Sequence, residues 1–208
     1  MKSFIKTNIV IAVIAALFFS ACDDNDENPV KPLEAAEMKD LNSESTKNFT
    51  FFSFDDDQIV QTSDSATSKW DIGFRGTTII LNGGNSGPGQ AEGQIVSGIF
   101  DELTEAPESG YVADNTSTKA ILGSNGWYTY TGTASAPNHA ILPIAGKIIV
   151  IKTSDGKYAK VEIISYYKGN PDTTTATFAD PATRPASRFF TFRYIYQPDG
   201  TRNFETTK

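Results

Sequence analysis

Residues 147–167, KIIVIKTSDGKYAKVEIISYY, contain two runs of β-branched residues on either side of an Asp-Gly pair. The runs cover residues 148–151 and 161–164, and the pair is Asp155-Gly156. β-branched residues favour strands, and Asp-Gly supplies the positive φ angles that a tight hairpin turn requires. The segment therefore predicts a β-hairpin, the clearest in the chain.

The same type of pattern extends through the chain from residue 48. Apolar and polar residues alternate in short runs that are separated by Gly, Pro, Asn and Asp, and helical patterns are scarce. This is typical of antiparallel β-sheet, so we expect a mainly β domain with few helices. A last strand, before a turn at 198–200, would carry an aromatic face that must be covered by the rest of the domain; this face comprises Phe190, Phe192, Tyr194 and Tyr196.

Two segments are expected to be loops. Residues 82–93 include five glycines and one proline, which is not the composition of a strand interior. Residues 170–187 are rich in Thr, Ala and Pro and are long for a connection inside a compact domain. We expect the second segment to be either a crossover or a functional loop.

The N-terminus has the features of an export signal. Lys2 and Lys6 precede an apolar run at 9–19, and Ser20-Ala21 lead to Cys22, the single cysteine. The run is well below the roughly 20 residues that span a bilayer. The segment resembles a bacterial lipoprotein signal, which implies removal of residues 1–21 and lipidation of Cys22.

An acidic stretch follows the cysteine directly and consists of Asp23, Asp24, Asp26 and Glu27. It resembles the export signal that sends lipoproteins of Bacteroidetes to the outer face of the outer membrane. The alternative is a charged spacer that keeps the chain near the lipid solvated. We expect an outer-membrane lipoprotein that faces the cell exterior.

The mature chain would be acidic and without a thiol. It has 16 basic and 25 acidic residues, a net charge near −9, which does not favour nucleic acid as a partner. Residues 22–47 are polar and acidic, so we expect a tether there, followed by a single β domain at 48–208. With Cys22 used for lipidation, disulfides and thiolate chemistry are excluded.

Three motifs occur in an informative order: KWDIGFR at 69–75, LNGG at 81–84 and DGKYAKVEI at 155–163, the last followed by Tyr166-Tyr167. With these motifs the chain resembles the HmuY family of haem-binding surface lipoproteins, over about residues 48–196. The resemblance implies an antiparallel β fold, capture of haem or another tetrapyrrole, and its delivery to an outer-membrane receptor.

The iron ligands expected from the resemblance are absent. Members that bind haem use a pair of histidines or a pair of methionines on loops that clamp the ring. The mature chain has one histidine, His139, and one methionine, Met38, which falls in the expected tether. Neither pair can be built within one molecule, so any haem must be bound weakly or with unusual ligation.

His139, Tyr128 and Tyr130 are the candidate haem-binding residues. His139 lies in a loop beside the aromatic segment 126–130 and is the best candidate axial ligand, and the alternative is a hydrogen-bonded loop histidine. The two tyrosines could line a planar apolar ligand, with one phenolate on iron, or they could belong to the core. We interpret Trp70 and Trp127 as core residues.

Catalysis and metal binding find little support in the sequence. The acidic residues cluster in places expected to be solvated, a serine-nucleophile elbow is absent, and the acidic turn at 55–57 lacks the spacing of a calcium loop. We therefore expect no enzyme and no resident metal. The alternative to haem capture is a non-catalytic module that binds a protein or a glycan through its Gly-rich and Thr-rich loops.

Overall fold

The structure, a computed structural model, describes residues 33–134 and 136–206. The predicted leader, Cys22 and the four acidic residues after it lie outside the described residues. The described part contains eleven strands, which are β1 (Ala36–Asn42), β2 (Thr50–Ser53), β3 (Gln58–Val60), β4 (Ile72–Arg75), β5 (Thr78–Leu81), β6 (Glu92–Ser97), β7 (Tyr128–Tyr130), β8 (Ile141–Pro143), β9 (Lys147–Lys152), β10 (Tyr158–Tyr167) and β11 (Ser187–Gln197). One short helix, α1 (Ala176–Ala179), and two 3-10 turns, Thr62–Asp64 and Phe100–Glu102, complete the described part.

The predicted hairpin forms the centre of the larger sheet. β9 and β10 pair antiparallel with Val161 opposite Ile149, and Gly156 in the turn has a φ of 82°. The sheet has the order β1-β11-β10-β9-β6, and every pairing in it is antiparallel. The mainly antiparallel β fold with few helices is confirmed.

The smaller sheet has the order β3-β2-β4-β5 and packs on the aromatic face of β11. The Phe52 ring lies 5.5 Å from that of Phe192 in an edge-to-face arrangement, and the Phe74 ring lies 4.7 Å from that of Phe190. The predicted aromatic face is therefore the surface that joins the two sheets. On the opposite face of β11, Ile195 is also buried in a separate apolar cluster.

β1 corrects the predicted domain boundary. Residues 36–42 were expected to belong to a solvated tether, but they pair with β11, and Leu41 is fully buried in the main core. Met38 is half-buried opposite Phe192, so it is not a solvated tether residue either. The tether prediction is wrong from Ala36 onward because an edge strand with one apolar face can still look polar overall.

The long loop between β10 and β11 is packed and not a crossover, since these two strands pair directly. Thr175 caps α1 by accepting the Phe178 N–H at 3.2 Å. Phe178 is buried, and its ring lies 4.7 Å from that of Tyr167. This contact holds the loop against the large sheet.

The Gly-rich loop is built around the buried side chain of Asn82. Its Nδ2 donates to Trp70 O at 2.7 Å, and its Oδ1 accepts the Gly89 N–H at 3.0 Å. A Cβ on Gly87 would lie 2.8 Å from the Trp70 ring, so the close packing there requires glycine. Trp70 and Trp127 are both buried, as predicted for core residues.

Asp71 is a buried carboxylate directly before β4 that bonds the residue after the neighbouring strand β2. Its Oδ2 accepts the Phe54 N–H at 2.9 Å. Burial raises the pKa of Asp71 to about 6; the bond from Phe54 opposes this shift, and the negative charge of Asp155 adds to it.

Leu41→Ala tests whether β1 belongs to the domain. Removing a fully buried leucine side chain should lower the free energy of unfolding by about 3 kcal/mol. The exposed neighbour Lys39→Ala should change it by less than about 0.5 kcal/mol. Urea unfolding of both variants measures these changes. If both variants change the free energy of unfolding by the same small amount, residues 36–42 are a tether and not part of the domain.

Asp71→Asn tests the buried carboxylate through pH. The folded pKa of about 6 lies above the unfolded value of 3.8, so the folded state holds the proton more tightly. Stability should therefore fall as pH rises from about 4 to about 6, by roughly 2 kcal/mol. The variant should lack this component, and unfolding free energies at several pH values measure the difference. Identical pH dependence in both proteins would contradict this account of Asp71.

Candidate functional site

β7 and β8 form a small separate hairpin that carries the sequence-predicted site residues. Tyr128 lies opposite Pro143, and Tyr130 lies opposite Ile141. Residues two apart on a strand, together with their direct partners, share one face. We call Tyr128, Tyr130, Ile141 and Pro143 the hairpin face.

The base of this hairpin is fixed to the core. The buried Trp127 donates its Nε1–H to Thr77 O at 3.2 Å, and its ring lies 4.6 Å from that of Tyr128. The Ile141 N–H donates to Tyr167 Oη at 3.0 Å. The hairpin is therefore attached to the core at Trp127, beside Tyr128, and at Ile141, opposite Tyr130, while Tyr130 itself is 51% exposed.

Backbone hydrogen bonds continue past the strand ends to His139. Thr131 N donates to Ala140 O at 3.0 Å, and His139 N donates to Gly132 O at 2.7 Å. His139 has a φ of 53°, a conformation that non-glycine residues adopt infrequently. The loop thus returns with the exposed His139 side chain placed beside the hairpin.

The structure brings Tyr130 and His139 into direct contact. Tyr130 Oη hydrogen-bonds His139 Nδ1, and the two ring centroids are 6.0 Å apart. Of the three predicted site residues these two form a pair. Tyr128 lies on the same face but two residues away along β7, where its ring packs on Trp127. It can line a ligand but does not join the pair.

Arg184 is a residue of this site that sequence reasoning missed. It donates from Nη1 to His139 O at 3.3 Å and from Nε to Phe178 O at 2.8 Å. Its guanidinium also lies over the Phe178 ring. The long loop at 170–187 therefore holds the backbone of His139. The length of this loop was the one feature of the sequence that suggested a functional role for the loop.

The donor set suits haem. Tyrosine and histidine are both usual ligands of haem iron, and the aromatic and aliphatic side chains of the hairpin face suit an apolar ring. Met38, the one methionine besides Met1, lies in β1 and packs on the core. The pair of identical ligands expected from the resemblance is therefore not assembled by these residues.

Lys160, away from this hairpin, is an ionisable group with a shifted pKa and structural partners. Lys160 is buried, and its Nζ donates to the carbonyls of Phe100 and Leu103; burial lowers its pKa to about 8. Within residues 33–134 and 136–206, no group of three or more His, Cys, Asp or Glu is arranged to hold a metal ion. Over the same residues, no helix has the length and apolar character needed to cross a membrane.

A polar groove lies at the Gly-rich loop. Its volume is about 620 Å³, and Gly84, Gly89, Glu92, Lys152 and Ser154 are among its lining residues. It is open to solvent, and two acidic side chains, Glu92 and Asp155, and one basic side chain, Lys152, line it. Such a groove could take a hydrophilic ligand.

Comparison with known proteins gives a consistent result. The family model described as HmuY protein matches residues 45–179, which include the hairpin face and His139. The apo HmuY analogue of Tannerella forsythia is similar with a TM-score of 0.53 and 12% identity, over 81% of this chain and 99% of that chain. This likeness supports the fold.

Two further solved structures are similar at lower scores. A protein of Bacteroides vulgatus described as HmuY-like and heme-binding has a TM-score of 0.45 and 16% identity, over 78% of this chain and 91% of its own. A protein of Bacteroides fragilis described as a lipoprotein has a TM-score of 0.47 and 15% identity, over 82% and 93%. No curated protein sequence matches the chain.

Proposed function

This chain belongs to the HmuY family, and from that membership we propose that it captures haem at the cell surface and passes it to an outer-membrane receptor. The protein acts by binding and not by catalysis. Haem is its cargo, or another tetrapyrrole of the same shape.

The observation that carries the proposal is the contact of Tyr130 with His139 at the exposed end of the hairpin face. This contact places two groups that ligate haem iron beside an apolar surface. One member of the pair supplies an axial ligand, and Tyr128, Ile141 and Pro143 contact the ring. Because one ligand replaces the usual two, binding is weaker than in members with a complete pair.

The lipid anchor and surface location complete the proposal. Acylation at Cys22 holds the protein at the outer membrane, since two or more acyl chains give stable anchoring. Asp23, Asp24, Asp26 and Glu27 direct it to the outer face.

A second function is favoured by the polar groove at the Gly-rich loop. Its lining of glycine backbone, Glu92 and Lys152 suits a glycan or a polar segment of another protein. In that case the chain is a non-catalytic adhesion module on the same fold. The two functions use different surfaces, so variants at one should leave the other unchanged.

Haemin titration of residues 23–208 tests haem capture, and this segment includes the whole described fold. The wild type should give a saturable, shifted Soret band. The double variant Tyr130→Phe/His139→Ala should lose that shift because both candidate ligands are removed. Tyr158→Phe, which lies in the separate apolar cluster, is the matched control and should bind as the wild type does. A wild-type spectrum identical to that of free haemin would reject haem capture and favour the adhesion module.

Cys22→Ser tests the anchor. The variant should be unprocessed or soluble because the acylated sulfur is missing, and detergent-phase partitioning of whole-cell extracts measures this. Changing Asp23, Asp24, Asp26 and Glu27 together to Ala should keep acylation but prevent digestion by protease added to intact cells. Normal partitioning of Cys22→Ser would contradict the anchor, and equal digestion would show that the acidic residues are only a spacer.

A further inference from the structure

We propose that Tyr130 is the iron ligand of this site and that His139 is a positioning residue that accepts the phenolic proton of Tyr130. The inference rests on the proposed haem-binding function and assigns its cargo as ferric haem. It reverses the expectation from the sequence, in which His139 was the best candidate ligand.

The direction of the Tyr130–His139 hydrogen bond supports the assignment. A phenol O–H is a much stronger acid than the N–H of a neutral imidazole, so the favoured arrangement has Tyr130 Oη donating to His139 Nδ1. In a neutral ring that accepts at Nδ1, the proton is on Nε2. Nε2 then has no free electron pair for iron, whereas the phenolic oxygen does.

The backbone around His139 fixes the imidazole as the partner of Tyr130. The His139 N–H donates to Gly132 O at 2.7 Å, and its carbonyl accepts from Arg184 Nη1 at 3.3 Å. Both backbone groups of His139 are therefore held, one by the hairpin and one by the long loop. A side chain whose backbone is anchored on both sides suits the role of orienting a ligand.

Other tyrosines of the described fold have different surroundings. Tyr194 Oη donates to Asp57, and its side chain is buried against the smaller sheet. Tyr167 Oη accepts the Ile141 N–H and is also buried. Tyr130 combines an exposed side chain with an imidazole nitrogen at its oxygen, which are the two conditions for forming a phenolate that an external metal can reach.

The binding step balances without a further reactant. The Tyr130 Oη–H bond breaks and its proton moves to His139 Nδ1, while an oxygen electron pair forms the bond to Fe(III). The water or chloride on the free haemin leaves, and iron keeps its oxidation state. A bound metal ion drives such deprotonation, and the imidazolium that results hydrogen-bonds the phenolate. The anionic oxygen favours ferric over ferrous haem, so reduction should weaken binding.

Single variants separate the two roles in residues 23–208 loaded with haemin. The wild type should show a phenolate-to-iron charge-transfer band and a high-spin ferric signal in electron paramagnetic resonance. Tyr130→Phe should lose both and bind haemin at least about tenfold more weakly. His139→Gln, whose amide oxygen still accepts a hydrogen bond, should keep the band and weaken binding by roughly tenfold, the usual effect of losing a residue that orients a ligand. The matched control Tyr158→Phe, in the separate apolar cluster, should match the wild type.

The haem-free protein gives a second test, because His139 is the only histidine. With ¹⁵N-labelled histidine at about pH 8.5, the nitrogen shifts should show a proton on Nε2 and none on Nδ1. A protonated Nδ1 would overturn the proposal. The proposal would also be overturned if Tyr130→Phe had the haemin spectrum of the wild type and His139→Gln lost binding; His139 would then be the ligand, and haem capture would stand. A wild-type protein that leaves the haemin spectrum unchanged would reject both haem capture and the assignment of Tyr130.

Discussion

The contact of the aromatic face of β11 with Phe52 and Phe74 holds the two sheets together, and the rest of the fold depends on it. Each aromatic side chain buries on the order of 150–250 Å², and edge-to-face pairs add about 1 kcal/mol beyond that area. The described chain has no cysteine to reinforce this packing. Stability therefore comes from apolar burial on both faces of β11, since Ile195 on the other side is also in a core.

The same aromatic packing reaches the candidate site. The Phe190 ring lies 5.2 Å from that of Trp127, and Trp127 supports Tyr128 at the base of the small hairpin. Tyr167, whose ring packs on Phe178, accepts the Ile141 N–H on the other strand. Core residues thus hold β7 at Trp127 and β8 at Ile141, while the Tyr130 side chain remains exposed. An anchored hairpin with an accessible side chain suits a binding site.

The central hairpin and the aromatic face of β11 were predictable from the sequence because strand alternation and Asp-Gly turns act locally. β1 was not, since its apolar positions are few and its burial depends on β11, more than 140 residues later. The contact of Tyr130 with His139 crosses a loop whose course no local pattern fixes. The contacts of Arg184 could not be predicted from the sequence, because it bonds backbone carbonyl groups, which every residue carries.

The position of the Tyr130–His139 pair also bears on release. A ring clamped between two ligands leaves only when both iron bonds break, whereas a ring held by one ligand on an open face has a single bond to lose. In the proposed binding step, protonation of the Tyr130 phenolate by the His139 imidazolium would reverse binding within the same hydrogen bond. Differences in affinity arise mainly in the dissociation rate, so an open site with one ligand exchanges its cargo faster than a clamped one. Faster exchange shortens retention but favours transfer to a partner, so a single iron ligand is compatible with the proposed delivery role.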